Sequence, residues 1–307
     1  METVVKNPVD LQYDDAVLAQ LQSIELAMLE SFARICEKYQ IEYFCTYGTA
    51  IGALRHKGFI PWDDDIDIGM LRSEYEKLRK VPREEWGDSL LLADARDECP
   101  FHRTLFPRLY KLGTGYETEL YYKYLKPRSG QLYPIYIDVF LFDEIGEKTN
   151  IRFWHMVANM YKRAILCAAC DRRIYRDDPI GTKVSSAIKK CIGVWYSFQK
   201  NARQRLYSRY QKAMSRIKPG GYVTCFEVVR TMDQFSRMDE MFPTVKADFE
   251  GMTIRLQKNY DAILRKHYGE YMLLPPESKR HNPIPRVLDF GDGRGNLVEQ
   301  LWQEPHT

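Results

Sequence analysis

The 307-residue sequence predicts an α+β (mixed α/β) fold: a mixed sheet flanked by helices, plus a helical insertion. Three observations predict it. A long stretch near the start carries apolar residues at helical spacing, residues 42–143 mix short strand-like and helical patterns, and residues 150–216 read as mainly helical.

From Asp14 to Tyr39, Leu18, Leu21, Met28, Leu29, Phe32, Ile35 and Cys36 form one stripe, which predicts a single long helix. Glu42 to Tyr47 has strand character and breaks at Gly48-Thr49, ahead of a helix-compatible run from Thr49 to Lys57. Asp65-Ile66-Asp67-Ile68 alternates, as a strand does when one face is buried. Phe106 to Lys111 is strand-like, and Tyr133 to Phe142 is a nearly continuous apolar run with one charge, Asp138. Lys218-Pro219-Gly220-Gly221 marks a break. After it come strand-like pieces around Tyr222 to Val229 and Gly251 to Leu256, a helix from Asn259 to Tyr268, and a proline-rich tail. The expected organisation is a core with its N-terminal helix over 1–149, a mainly helical insertion over 150–218, and 219–307 completing the core domain.

Hydrophobic content of 45% with 28% charged residues is that of a soluble globular protein, long enough to bury a sizeable core. Seven scattered cysteines, an odd number, argue against a disulfide framework and for a reducing compartment. Cys167-Ala168-Ala169-Cys170 lacks a second close pair and reads as buried free thiols on a helix. Met1 to Asp10 shows no secretory signal, and no apolar run is long enough to span a bilayer, so the expected location is cytoplasmic. A net charge of +3 is too mild to imply nucleic acid, and none is expected as a partner. The charge is uneven, however: Arg172 to Lys218 holds thirteen Lys and Arg against Asp177 and Asp178. Two readings of 183–216 stand side by side: an amphipathic basic helix lying peripherally on the inner face of an anionic membrane, and a helix that packs internally with its basic face in solvent.

Residues Tyr47 to Met70 concentrate the chemistry. Asp65 and Asp67 face one point, and two fixed carboxylates stay ionised only beside a hard cation such as Mg²⁺ or Mn²⁺. The Gly48-Thr49 turn at a helix start lets backbone N–H groups approach a phosphate. A lone carboxylate in an apolar run, Asp138, needs a partner that a neighbouring metal would supply. Together these residues read as a phosphoryl-transfer site. The alternatives are a solvated acidic turn, an EF-hand loop and, for Asp138, pairing with a buried arginine. The alternating isoleucines oppose the first, and Ile68, where that calcium loop needs glycine, opposes the second. Val287 to Gly295 is glycine-rich, but too few residues follow for a βαβ nucleotide site, so it reads as a C-terminal turn.

Gly48-Thr49-Ala50-Ile51-Gly52, Arg55 to Ile68, Ile137-Asp138-Val139-Phe140, Phe249-Glu250-Gly251, Tyr260-Asp261 and Tyr268 to Met272 closely resemble the signature of the LicD/fukutin family. The resemblance spans roughly residues 15–285 and is weakest in the middle. It implies a nucleotidyltransferase-like core and a metal-dependent transferase. Such an enzyme moves phosphocholine, ribitol phosphate or a similar phospho-alcohol from a CDP-linked donor to a hydroxyl of a glycan or lipid-linked glycan, releasing CMP. On the family's pattern Asp65, Asp67 and Asp138 are the catalytic and metal-binding carboxylates, and Asp138 is taken as the base. Gly48 and Thr49, with Arg55, Lys57, Arg108 and Lys111, are expected to hold the donor's phosphates. Trp62 stacks on the cytosine or packs beside Pro61, and His56 is expected to be structural. The rival functions are an Asp-x-Asp glycosyltransferase using a nucleotide sugar, and a non-catalytic metal-nucleotide binding module.

Overall fold

Asp14 accepts a hydrogen bond from the Ala16 amide and caps helix α1 (Asp15–Lys38), one residue inside each end of the predicted stretch. The structure, a computed structural model, describes residues 13–124, 126–127, 131–171, 180–227, 235–281 and 283–302. Every residue of the predicted stripe is buried, and so is Glu25, which falls between Leu21 and Met28 on the same face.

Next come β1 (Phe44–Cys45), α2 (Tyr47–Arg55), β2 (Asp67–Leu71) and α3 (Arg72–Leu78). Helix α2 begins two residues earlier than the glycine suggests, and β2 begins at Asp67, so Asp65 and Ile66 precede the strand. There follow β3 (Leu90–Ala93), β4 (Arg108–Lys111), β5 (Gly115–Glu117), α4 (Glu119–Tyr124), β6 (Lys126–Pro127) and β7 (Ile135–Gly146). The helical stretch contains α5 (Ile151–Ala169), β8 (Cys170–Asp171), α6 (Ile180–Ser197) and α7 (Ala202–Met214). The chain continues with β9 (Gly221–Thr224), β10 (Ser236–Arg237), α8 (Met238–Met241), β11 (Val245–Phe249), β12 (Met252–Leu256), α9 (Tyr260–Tyr268) and β13 (Val287–Asp289).

The main sheet runs β1-β2-β7-β4-β3. Strand β7 pairs in parallel with β2, and antiparallel with β4 and, along its second half, with β9. This is the mixed sheet of the predicted α+β class. Its faces follow from the two-residue period of β7. Ile135, Ile137, Val139 and Leu141 join Ile66, Ile68 and the α1 stripe from Leu21 onward in the largest apolar cluster among the described residues. Phe140 and Phe142 pack with Phe44 and Val223 on the opposite face, the one that also carries Asp138.

Helix α5 packs against α6 and α7, and Ala158, Ile165, Leu206, Tyr207 and Tyr210 form a second apolar cluster there. Cys167 is buried, as expected. The side chain of Cys170, the start of the basic segment at Arg172 and the expected strand end at Val229 lie outside the described residues. Strand β13 pairs with β5 and ends in a turn with positive φ at Gly291 and Gly293, consistent with a C-terminal turn.

Candidate active site

Strand register builds the site. Parallel pairing sets Asp67 opposite Asp138, and antiparallel pairing sets Arg108 opposite the same residue, so acid, acid and base cross three strands in one row. Arg108 Nε donates to Asp138 Oδ1 at 2.6 Å, and its guanidinium lies 3.6 Å from the Tyr136 ring centroid. Burial pushes the Asp138 carboxyl above its ordinary range, and the buried Arg108 charge partly offsets this. Asp67 is driven well above the range by burial first, then by Asp138 and Asp63, with Arg108 pulling weakly the other way.

Beside this row opens a cavity of about 770 Å³. Six carboxylates line it, Glu25, Asp63, Asp64, Asp65, Asp67 and Glu119, together with Tyr47, Tyr116, Tyr136 and Tyr268. Among the described residues no Lys or Arg belongs to its lining. Ligand oxygens of Asp63, Asp64 and Asp65 lie within 4.8 Å of one another. Water reaches Asp65 through the cleft, yet the enclosing protein and then Asp67, Asp63, Asp64 and Asp138 raise its carboxyl well above the ordinary range. Glu25 is 2% exposed, and its Oε2 has no hydrogen-bond partner. Burial, followed by Asp65 and Asp64, likewise raises it. An all-oxygen, anionic donor set with an unpartnered buried carboxylate oxygen fits a hard divalent ion such as Mg²⁺ or Mn²⁺.

Local contacts fix these carboxylates. The Asp67 amide donates to Thr49 Oγ1 at 2.9 Å, and the Thr46 amide donates to the Asp67 carbonyl at 3.0 Å. Gln22 of α1 donates to the Asp63 carbonyl at 2.8 Å. Asp64 Oδ2 accepts from the hydroxyls of Tyr13 (2.6 Å) and Tyr116 (3.0 Å). A Cβ at residue 48 would stand 2.6 Å from Asp63 Oδ2. Gly48→Ala is therefore expected to shift the Asp63 carboxylate and weaken Mn²⁺ binding about tenfold, read by calorimetric titration, with little change in melting temperature.

The C-terminal pieces of the signature brace the same segment. Glu250 Oε1 accepts from the Phe59 amide at 3.0 Å, and the Glu250 amide donates to the Lys57 carbonyl at 2.9 Å. Arg55 Nη1 donates to the carbonyls of Tyr271 (2.6 Å) and Leu273 (3.1 Å). The Tyr271 hydroxyl donates to Asp261 at 2.9 Å.

The structure thus brings Gly48, Asp65 and Asp67 to the cavity wall, with Asp138 beside Asp67 but outside the lining. Thr49 is buried, its hydroxyl occupied by the Asp67 amide. The expected phosphate-holding cations are placed elsewhere. Arg55 holds the C-terminal segment, Lys57 is exposed in a turn at φ 61°, and Arg108 is committed to Asp138. Lys111, at the far end of β4, donates to Ser89 Oγ at 3.1 Å. Trp62 is half-buried and edge-on to His56 at 6.4 Å, away from the cavity lining, which corresponds to packing rather than base stacking. Glu25, Tyr116, Glu119, Tyr136 and Tyr268 escaped the sequence reading. A signal existed for Glu25, a charged residue on an apolar helical stripe, and for Tyr268, which stands in the family signature; Tyr116 and Tyr136 carried none.

Residues 40–163 match the family described as LicD/FKTN/FKRP, nucleotidyltransferase domain. Lipopolysaccharide cholinephosphotransferase LicD of Haemophilus influenzae is 27% identical over 262 residues, covering 85% of this chain and 93% of that protein. Uncharacterized proteins of Rickettsia prowazekii and Rickettsia typhi are 35% and 38% identical over 54 residues, each covering 18% of this chain and 20% and 18% of their own lengths. The matched span contains β2, β4 and β7 with the row of Asp67, Asp138 and Arg108, and the longer similarity to the Haemophilus influenzae protein runs through most of the chain.

Proposed function

We propose that this protein transfers phosphocholine from CDP-choline to a hydroxyl of a lipopolysaccharide-type glycan and releases CMP. The Haemophilus influenzae relative is by name a cholinephosphotransferase acting on lipopolysaccharide. The observation that carries the reading is the charge of the cavity wall, six carboxylates and no basic side chain among the described residues. An anionic diphosphate enters such a wall only with cations, and a quaternary ammonium has the sign that the wall attracts. When bound, Mg²⁺ or Mn²⁺ held among Asp63, Asp64 and Asp65, with Asp67 and Glu25 adding negative charge on the same cavity wall, would screen the diphosphate and stabilise charge on departing CMP.

The chain's own residues supply the rest. The acceptor oxygen bonds to the phosphorus that carries choline, the bond from that phosphorus to the CMP phosphate oxygen breaks, and CMP leaves with the electron pair. Asp138, raised above the ordinary carboxylate range and oriented by Arg108, takes the acceptor's proton. Tyr116 and Tyr136, whose rings meet edge-on at 5.6 Å, give the cavity an aromatic wall.

The test is CMP release from CDP-choline, CDP-ribitol and nucleotide sugars, with and without Mg²⁺ or Mn²⁺. Metal-dependent release from CDP-choline is expected. Turnover of nucleotide sugars alone would point to the Asp-x-Asp glycosyltransferase, and binding without any turnover to a non-catalytic module.

A pH dependence follows from the raised carboxyls. Glu25, Asp65 and Asp67 hold protons more tightly folded than unfolded, so their contribution is complete below the unfolded carboxylate range and is lost as pH rises through their folded values. Without metal, melting temperature is expected to fall between about pH 5 and about pH 8, and Mn²⁺ is expected to raise it more at the higher pH. Equal metal shifts at both pH values would contradict this.

A further inference from the structure

Helices α5 and α6 leave apolar side chains in water. On α6, Val184 and Ile188 are each 56% exposed and Trp195 59%, and Phe198, just past its end, is 84% exposed. Their spacing of four, seven and three residues keeps them on one stripe. On the adjoining α5, Met156 (61%) and Met160 (59%) repeat the pattern. Neither helix contains an acid; α5 exposes Arg152 and Arg163 while its Lys162 turns inward to the Glu227 carbonyl, and the sequence of α6 adds three Lys. No helix among the described residues is long and apolar enough to cross a membrane.

We infer that the α5–α6 face seats this protein on the surface of an anionic lipid bilayer. Charge selects this occupant. A second copy docking through the same face would set two cationic, acid-free helix pairs against each other. A nucleic acid would satisfy the charge and leave the apolar stripe in water. An anionic bilayer satisfies both, because apolar side chains enter the acyl boundary while the cations meet lipid headgroups. The inference is independent of the transfer reaction, since none of these residues lines the acidic cavity.

The experiment is co-sedimentation of the full chain with phosphatidylcholine vesicles, with and without about one-third phosphatidylglycerol, at low and high salt. Binding to the anionic vesicles only, weakened by salt, is expected. The double variant Ile188→Glu, Phe198→Glu is expected to bind at least about tenfold more weakly, because two apolar anchors become anions. Its melting temperature and CMP release from soluble donor serve as folding controls. A single-residue variant, Phe198→Ala, provides a milder arm, expected to weaken binding in the same direction. Failure of the wild-type chain to sediment with anionic vesicles, or unchanged binding of both variants, overturns the inference. So does a wild-type dimer that the double variant makes monomeric, because the face is then covered by a second copy.

Discussion

Asp67→Asn is expected to lower CMP release from CDP-choline by about a hundredfold to a thousandfold, the range seen when one charge-stabilising group leaves a reacting centre. The amide keeps the shape of the carboxylate, and the contact from the residue 67 backbone to Thr49 does not involve the side chain. On the proposed function, what is lost is one negative charge facing the metal. Asp67 is repelled by Asp138 and Asp63, so removing its charge relieves strain in the metal-free protein. The melting temperature without metal should therefore hold or rise while the metal-induced increase shrinks. That opposite movement separates a site residue from a structural one, and undiminished turnover would remove Asp67 from the site.

Arg108→Met is expected to cost about 3–5 kcal/mol of stability, the scale for stripping one partner from a buried ion pair. Arg108 is 3% exposed, pairs with Asp138, and lies over Tyr136. Without it, burial acts on Asp138 against only the weaker pull of Lys162, and its carboxyl rises further. A carboxyl raised in the folded state contributes stability below the unfolded carboxylate range and loses it as pH climbs. The deficit of the variant should accordingly be smaller near about pH 5 than near about pH 8, as read by urea unfolding. A deficit independent of pH would mean that Arg108 acts through packing on the tyrosines instead of through charge.

Periodicity made much of the fold legible. Helix α1 could be read to within one residue because its stripe runs unbroken, and β7 could be read because ten nearly apolar residues carry one acid. The meeting of Asp67 with Asp138 depends on a parallel register between strands 71 positions apart, which no local pattern encodes. The contacts of basic residues were illegible for a related reason. A guanidinium is recognisable in a sequence, but its partner is not: Arg108 turned inward to an acid, and Arg55 reached carbonyls 216 and 218 positions away. Glu25 broke the apolar pattern of α1, a violation that pointed to the cavity and went unread.

The bonds from Glu250 to the backbone of residues 57 and 59, and from Arg55 to residues 271 and 273, bear on how small a working piece of this molecule can be. The span that matches the family ends at residue 163, well before those braces. A fragment cut there would carry the acidic motif yet release the strap that shapes it, so the minimal catalytic unit must extend past Leu273.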